Sequence, residues 1–260
     1  MRRFDRLEFD DALPVAKPGH AKPAREPDHD EQYWMKAAGE ERRNGLHESA
    51  LRYYSRALEL DKSQAAGWVG QVQMLVAMNE CPEADLWSRK ALELFKNNPD
   101  LLAARAQALC RIGDLKNAQA SCDAAICQPG LSSYPWVVRG ELMLARKEDI
   151  DGYCFDKALQ LDGDWLVSLE IGAIYAHYGR PAKALQRTRV AVEKAPDHGY
   201  CWYCQGKYEL ALGLTRPAAK SFERCLQLVR NHSLARKALE EIRHNRYTAR
   251  NLLRKVFPFF

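Results

Sequence analysis

A chain of 260 residues with 47% hydrophobic side chains and a net charge of +5 can bury a sizeable core, and no apolar run in it approaches the roughly 18 residues of a membrane-spanning helix. Eight cysteines scattered through so long a chain do not make a disulfide framework; they point to a reducing compartment, and the cytoplasm is the expected location. The opening MRRFDRLEFDDALPVAKP has no apolar run behind its arginines, so neither a secretory nor a lipoprotein signal is expected.

Residues 1–30 hold six Lys/Arg and seven Asp/Glu, and from Pro14 to Asp30 proline and charge dominate, which predicts a flexible, extended tail. Ahead of that stretch Phe4, Leu7, Phe9 and Leu13 sit among charges. They read either as a short docking motif on a tether or as a tail packed on the first helices.

From residue 31 a pattern recurs every 34 residues: Trp34, Gly45, Ala50, Tyr54 and Ala57 return as Trp68, Asn79, Ala84, Ser88 and Ala91, then as Leu102, Gly113, Ala118, Cys122 and Ala125. A bulky residue opens a first apolar helix and a Gly or Asn ends it. A small Ala then lets the second helix pack close. Ala118 and Ala184 are expected where two helices approach most nearly.

This helix, turn and helix phase resembles the tetratricopeptide repeat family. The resemblance implies an all-α, right-handed superhelical solenoid of about six repeats, at 31–64, 65–98, 99–132, 133–164, 165–198 and 199–232. It implies no activity, because the family is defined by how its repeats stack.

The fourth repeat keeps Trp136 and Gly140, but Phe155 and Ala158 fit only after a one-place shift, so its turn is expected to be a residue short. Asp151 stands there in the small-residue slot, with Gly152 behind it, and weak packing or a hinge is expected between 146 and 156. The fifth repeat carries Gly172, Tyr175, Gly179, Ala184, Ala191 and Pro196. The sixth carries Trp202, Gly206, Gly213, Ala218, Phe222 and Cys225.

A stack leaves its last pair half covered, and residues 233–256 read as the capping helix. Ser233 can cap its start, and Leu234, Ala238, Leu239 and Ile242 repeat at helical spacing. Arg236, Arg243 and Arg250 recur every seven residues with Arg254 beyond, a basic stripe in a segment, 233–260, that holds seven Lys/Arg against two Glu. The stripe reads as a solvated face, a contact for an acidic protein, or a contact for nucleic acid or anionic membrane. The ending 257–260 is an aromatic tail of Phe257, Phe259 and Phe260 around Pro258. Those rings would either fold back or anchor a partner.

No sequence signature of a hydrolase, metalloprotease or nucleotide-binding loop is present, and no enzyme activity and no cofactor are expected. His47, His177, His198 and His232 fall at turns or helix ends, where capping or solvation is ordinary. Cys201 and Cys204 form a Cys-x-x-Cys pair that Cys225, His198 or His232 would have to complete for zinc. Without a second close pair, a core role is the expected reading; a metal-dependent enzyme built on that pair is the distant alternative.

The resemblance also implies a partner-binding groove lined by first helices. Its positions fall on Gln32, Met35, Arg42 and Arg43, then Val69, Gln73 and Val76, then Gln107, Cys110 and Arg111. They continue with Tyr134, Val137 and Glu141, Leu169, Ala173 and His177, and finally Tyr200, Tyr203 and Lys207. Family members that clamp the acidic tails of heat-shock chaperones place Lys and Asn where Met35 and Gly39 stand, so that ligand is disfavoured. A protein partner offering a helix or an extended segment is expected instead.

Overall fold

The computed structural model describes residues 29–256, with side chains as far as His244. The Phe4 to Leu13 motif and most of the tail, to residue 28, lie outside the described residues, as do 257–260 and the side chains of Arg250 and Arg254. Among the described residues every regular element is a helix. The chain divides into two compact units, Met1–Pro129 and Gly130–Phe260.

The first unit holds α1 (Glu31–Arg43), α2 (His47–Leu60), α3 (Ala65–Ala77), α4 (Cys81–Leu94), α5 (Pro99–Ile112) and α6 (Leu115–Ile126). Each helix packs on the next, and α3 also touches α5. The second unit holds α7 (Tyr134–Ala145), α8 (Asp151–Leu161), α9 (Trp165–His177), α10 (Pro181–Lys194), α11 (Gly199–Ala211), α12 (Thr215–Leu228) and α13 (Ser233–Val256). Over the described residues the chain is therefore an all-α repeat protein of six helix pairs and a terminal helix, with the tetratricopeptide phase of helix, turn and helix.

One backbone device ends the first helix of every pair. Gly45, Gly113, Gly179 and Gly213 have φ between 69° and 95°, and Asn79 (64°) and Lys147 (61°) occupy the same place in the other two pairs. The next residue then donates its N–H back five residues, Leu46 to Glu41, Glu80 to Leu75, Asp114 to Leu109, Glu148 to Met143, Arg180 to Tyr175 and Leu214 to Glu209, all at 2.8–3.0 Å. This left-handed closure satisfies carbonyls that the helix end would strand. Glycine adopts it freely, whereas Lys147 is strained there.

The small slot is filled as its residue type requires. Ala50, Ala84, Ala118, Ala184 and Ala218 are all fully buried. Aromatic side chains from second helices lie directly on glycines of first helices: a Cβ on Gly140 would stand 2.5 Å from the Phe155 ring, and one on Gly206 2.7 Å from Phe222. The opening tryptophans tie down the preceding turns, with Trp68 Nε1 donating to Lys62 O at 3.0 Å and Trp202 Nε1 to Pro196 O at 2.7 Å.

The fourth pair departs from the expected irregularity. Its connection is longer, residues 146–150 against three residues in most other pairs, and the helices are shorter, 12 and 11 residues. The missing length comes out of helix, because the acidic 148–151 stretch enters α8 late. Asp151 does occupy the Ala slot and is buried, and α8 meets α9 over less surface than α10 gives α11. Two ionic contacts reach past that thin junction and tie α8 to α10: Asp151 with Lys183, and Asp156 with Arg187 at 2.9 Å.

The terminal helix buries Ala235, Leu239 and Ile242 against Ala218, Phe222 and Cys225. Leu234 is exposed and Ala238 half-buried, so the apolar stripe starts one residue later than the hydrophobicity pattern indicates; the small Ala235 fits against the preceding pair. The start of α13 is capped by His232, whose Nδ1 accepts from the Ala235 N–H at 3.1 Å. Ser233 does not take that part.

Candidate functional site

The first helices carry the residues expected to meet a partner, and burial divides them sharply. In the first unit Gln32 is exposed on α1 and Met35, Arg42 and Arg43 are half-buried, as is Val69 on α3. Gln73, Val76, Gln107 and Cys110 are buried. Arg111 is half-buried and donates from Nη1 to Val76 O at 3.0 Å, joining the end of α5 to the end of α3. Gln73, Val76, Gln107 and Cys110 are thus largely covered in the folded chain. Ala103, Ala104 and Ala106 on α5 are small and fully covered, which lets α5 close directly on α3.

On α3 the residues that stay uncovered form one line. Ala66 and Ala77 are exposed, Val69 is half-buried, and Gln73 sits between them at helical spacing. Ala66 and Ala77 lack any functional-residue signature, and only their register with Val69 could have found them.

In the second unit Ala173 and His177 on α9 and Lys207 on α11 are exposed, and Tyr134, Tyr200 and Tyr203 are half-buried. Val137 and Leu169 are buried, and Glu141 is fully buried, within 3.5 Å of the Tyr178 hydroxyl. Glu141 is thus a core residue. Tyr200 and Tyr203 stack with ring centroids 6.2 Å apart, and Tyr203 also lies over Phe222 and over His232 at 4.6 Å. Burial, followed by the neighbouring Cys204, pushes the Tyr200 phenol well above its usual range. Tyr203 is largely structural, since its ring joins α11 to α12 and to the cap of α13.

The Cys-x-x-Cys pair lies in the core. Cys201 is fully buried and Cys204 nearly so, and burial pushes both thiols up to about 12 and Cys225 to about 11. Such groups are protonated at neutral pH and behave as small hydrophobes. Among the described residues no three His, Cys, Asp or Glu side chains gather as a metal site.

Two further acids are buried: Asp151, which the register places in the small-residue slot, and Glu209, which it misses. The Asp151 carboxylate accepts from Tyr175 Oη at 2.7 Å and from Lys183 Nζ at 3.1 Å. Burial pushes its pKa up, but those hydrogen bonds and the lysine charge outweigh it and hold the group below its usual range. Glu209 accepts from Ser221 Oγ at 2.7 Å and from Gln205 Nε2 at 3.1 Å. Both join neighbouring helices, which is a structural use. A carboxylate inside an apolar period gives no sequence signal of burial.

Of the basic stripe, Arg236 is exposed and donates to Arg230 O at 2.8 Å, and Arg243 lies 3.6 Å from Glu223 Oε1. That stripe is partly engaged with the protein itself.

No family model matches the chain, and no curated protein matches it. Solved structures do resemble it in helical-repeat fold. A tetratricopeptide repeat protein from Parabacteroides merdae is 17% identical, with 82% of this chain and 84% of that chain covered and a TM-score of 0.49. PilW, a type IV pilus biogenesis factor, is 14% identical over 80% of this chain and 98% of its own, at a TM-score of 0.48. PilF of Pseudomonas aeruginosa is 18% identical over 81% and 97%, at 0.42.

Proposed function

We propose that this chain is a non-enzymatic scaffold that holds a segment of another protein along the uncovered line of its first helices. The observation behind this reading is the sorting of those helices. Most positions of α3, α5, α7 and α9 are buried by neighbours, yet Gln32, Ala66 and Ala77 in one unit, and Ala173, His177 and Lys207 in the other, are exposed in the repeat register, with Val69 half-buried among them. Within each unit, small and polar groups exposed in that register suit a peptide segment. The buried acids and thiols serve packing, which supports a binding role over catalysis. Seven of the eight cysteines are buried, in keeping with a reducing compartment, and we propose a cytoplasmic location.

The test begins with affinity purification from the native host to recover the partner. Binding is then measured for Ala77→Arg and Ala173→Arg, two exposed positions where a long cation obstructs the line without touching the core. At least one variant weakens binding about tenfold or more, equivalent to roughly 1.4 kcal/mol. Arg236→Glu with Arg243→Glu leaves binding intact. If only the arginine reversal loses the ligand, and the ligand is nucleic acid or anionic vesicles, the terminal helix carries the function and the scaffold reading is wrong.

A further inference from the structure

We infer that the second unit carries a separate docking surface, an edge where basic and aliphatic side chains stand together and which rests on an anionic lipid bilayer. Charge is divided within this unit: residues 133–179 hold four Lys/Arg against eight Asp/Glu, and residues 180–260 hold seventeen against six. Successive helices pack antiparallel, so the turns after α7, α9 and α11 share one edge and those after α8, α10 and α12 the other. At the first edge Lys147, Arg180 and Arg216 are exposed, beside exposed Ile150, Leu212 and Leu214. The acids in its turns are Asp149 and Glu148, and Glu148 is paired with Arg146 at 2.6 Å. The turns of the opposite edge carry Asp162, Asp164 and Asp197 instead, with Arg230 as their cation. Lys194 also ends there, bonded to Gly163 O at 2.7 Å.

The terminal helix heads toward the basic edge, because α13 runs back along α12. It has 24 residues against 14 in α12 and is therefore longer by about 15 Å. Residues 245–260 hold four Lys/Arg and no acid, together with Leu252, Leu253, Val256, Phe257, Phe259 and Phe260. That mixture decides the partner. A nucleic-acid backbone attracts the cations but offers leucine and isoleucine nothing. The boundary of an anionic bilayer takes both, with cations among the headgroups and apolar side chains at the acyl chains. Among the described residues no helix is long and apolar enough to cross a membrane, so the contact is with its surface. A protein segment on the first helices and a lipid surface at this edge use different side chains, and the scaffold reading does not depend on the lipid.

The full chain is sedimented with vesicles of phosphatidylcholine alone and of phosphatidylcholine with about one-third phosphatidylglycerol. The expected result is binding to the anionic vesicles only, weakening as salt rises. Arg180→Glu with Arg216→Glu weakens it about tenfold or more, and so does Leu214→Ser combined with Phe257→Ser, Phe259→Ser and Phe260→Ser. Arg230→Glu on the opposite edge leaves it unchanged, as does Ala173→Arg on the uncovered line. Arg180, Arg216, Leu214, Arg230 and Ala173 are all exposed, so these variants keep the melting temperature of the wild type. A wild type that ignores anionic vesicles overturns the inference and leaves the scaffold reading standing. An equal loss from Arg230→Glu also overturns it, since net charge and not this edge would then be read. Loss from the arginine reversal without loss from the Leu and Phe substitutions overturns it too, and displacement from the vesicles by duplex DNA or polyglutamate would then identify a polyanion as the ligand.

Discussion

Replacing Asp151 restores the alanine that other pairs carry, and the structure predicts that this loses stability. Asp151→Ala removes the acceptor of the Tyr175 hydroxyl at 2.7 Å. Tyr175 is 2% exposed, so its O–H is left buried and unpaired, at a cost of about 1–3 kcal/mol. Lys183 adds little, because its side chain is 45% exposed and water can replace the 3.1 Å contact. Removing both partners is far milder than removing one, so Asp151→Ala with Tyr175→Phe recovers most of the loss. The carboxyl pKa is lowered on folding. Its stabilisation is therefore complete above the unfolded value of about 3.9 and fades as pH falls through the lower folded value. Repeat arrays need not unfold in one step, so the assay is hydrogen exchange over 146–194 together with thermal melts at pH 7 and pH 3. An Asp151→Ala protein as stable as wild type, or no rescue by Tyr175→Phe, refutes the argument.

Other consequences follow from single contacts. Lys147→Gly relieves the left-handed strain at φ 61° and raises stability by about 1 kcal/mol in a thermal melt. Gly206→Ala forces a methyl into the Phe222 ring, 2.7 Å away, and lowers stability by about 1–3 kcal/mol in the same assay. Burial lowers the His232 pKa below its usual value, so the neutral cap of α13 is fully present above about pH 6.5 and weakens as pH falls toward the folded value. Protection of the 233–244 amides, relative to their intrinsic exchange at each pH, accordingly falls between pH 7.5 and 5.5, and His232→Ala removes the difference.

The helix pairs were legible because the 34-residue register repeats residue types whose roles are steric: tryptophan over a turn, glycine or asparagine at a left-handed closure, alanine at a close approach. Lys147 was not legible as a closure, since lysine carries no turn signal and is held there by the bonds around it. The stripe of α13 was misread because Leu234 outranks Ala235 in hydrophobicity, while the space beside Phe222 favours the smaller residue. The groove was legible only as a register. Whether Gln73, Gln107 or Glu141 faces outward depends on how near the neighbouring helix comes, and that distance is set by alanines on the other helix.

The central claim is that a partner segment lies along the uncovered line of first helices. Site-specific photocrosslinking tests it most directly, with a benzophenone amino acid at Ala77 or Ala173 on the line and, for comparison, at exposed Arg56 and Arg189 on second helices. The account predicts crosslinks to the recovered partner from Ala77 or Ala173 and none from Arg56 or Arg189. Crosslinks confined to the second-helix positions would contradict it.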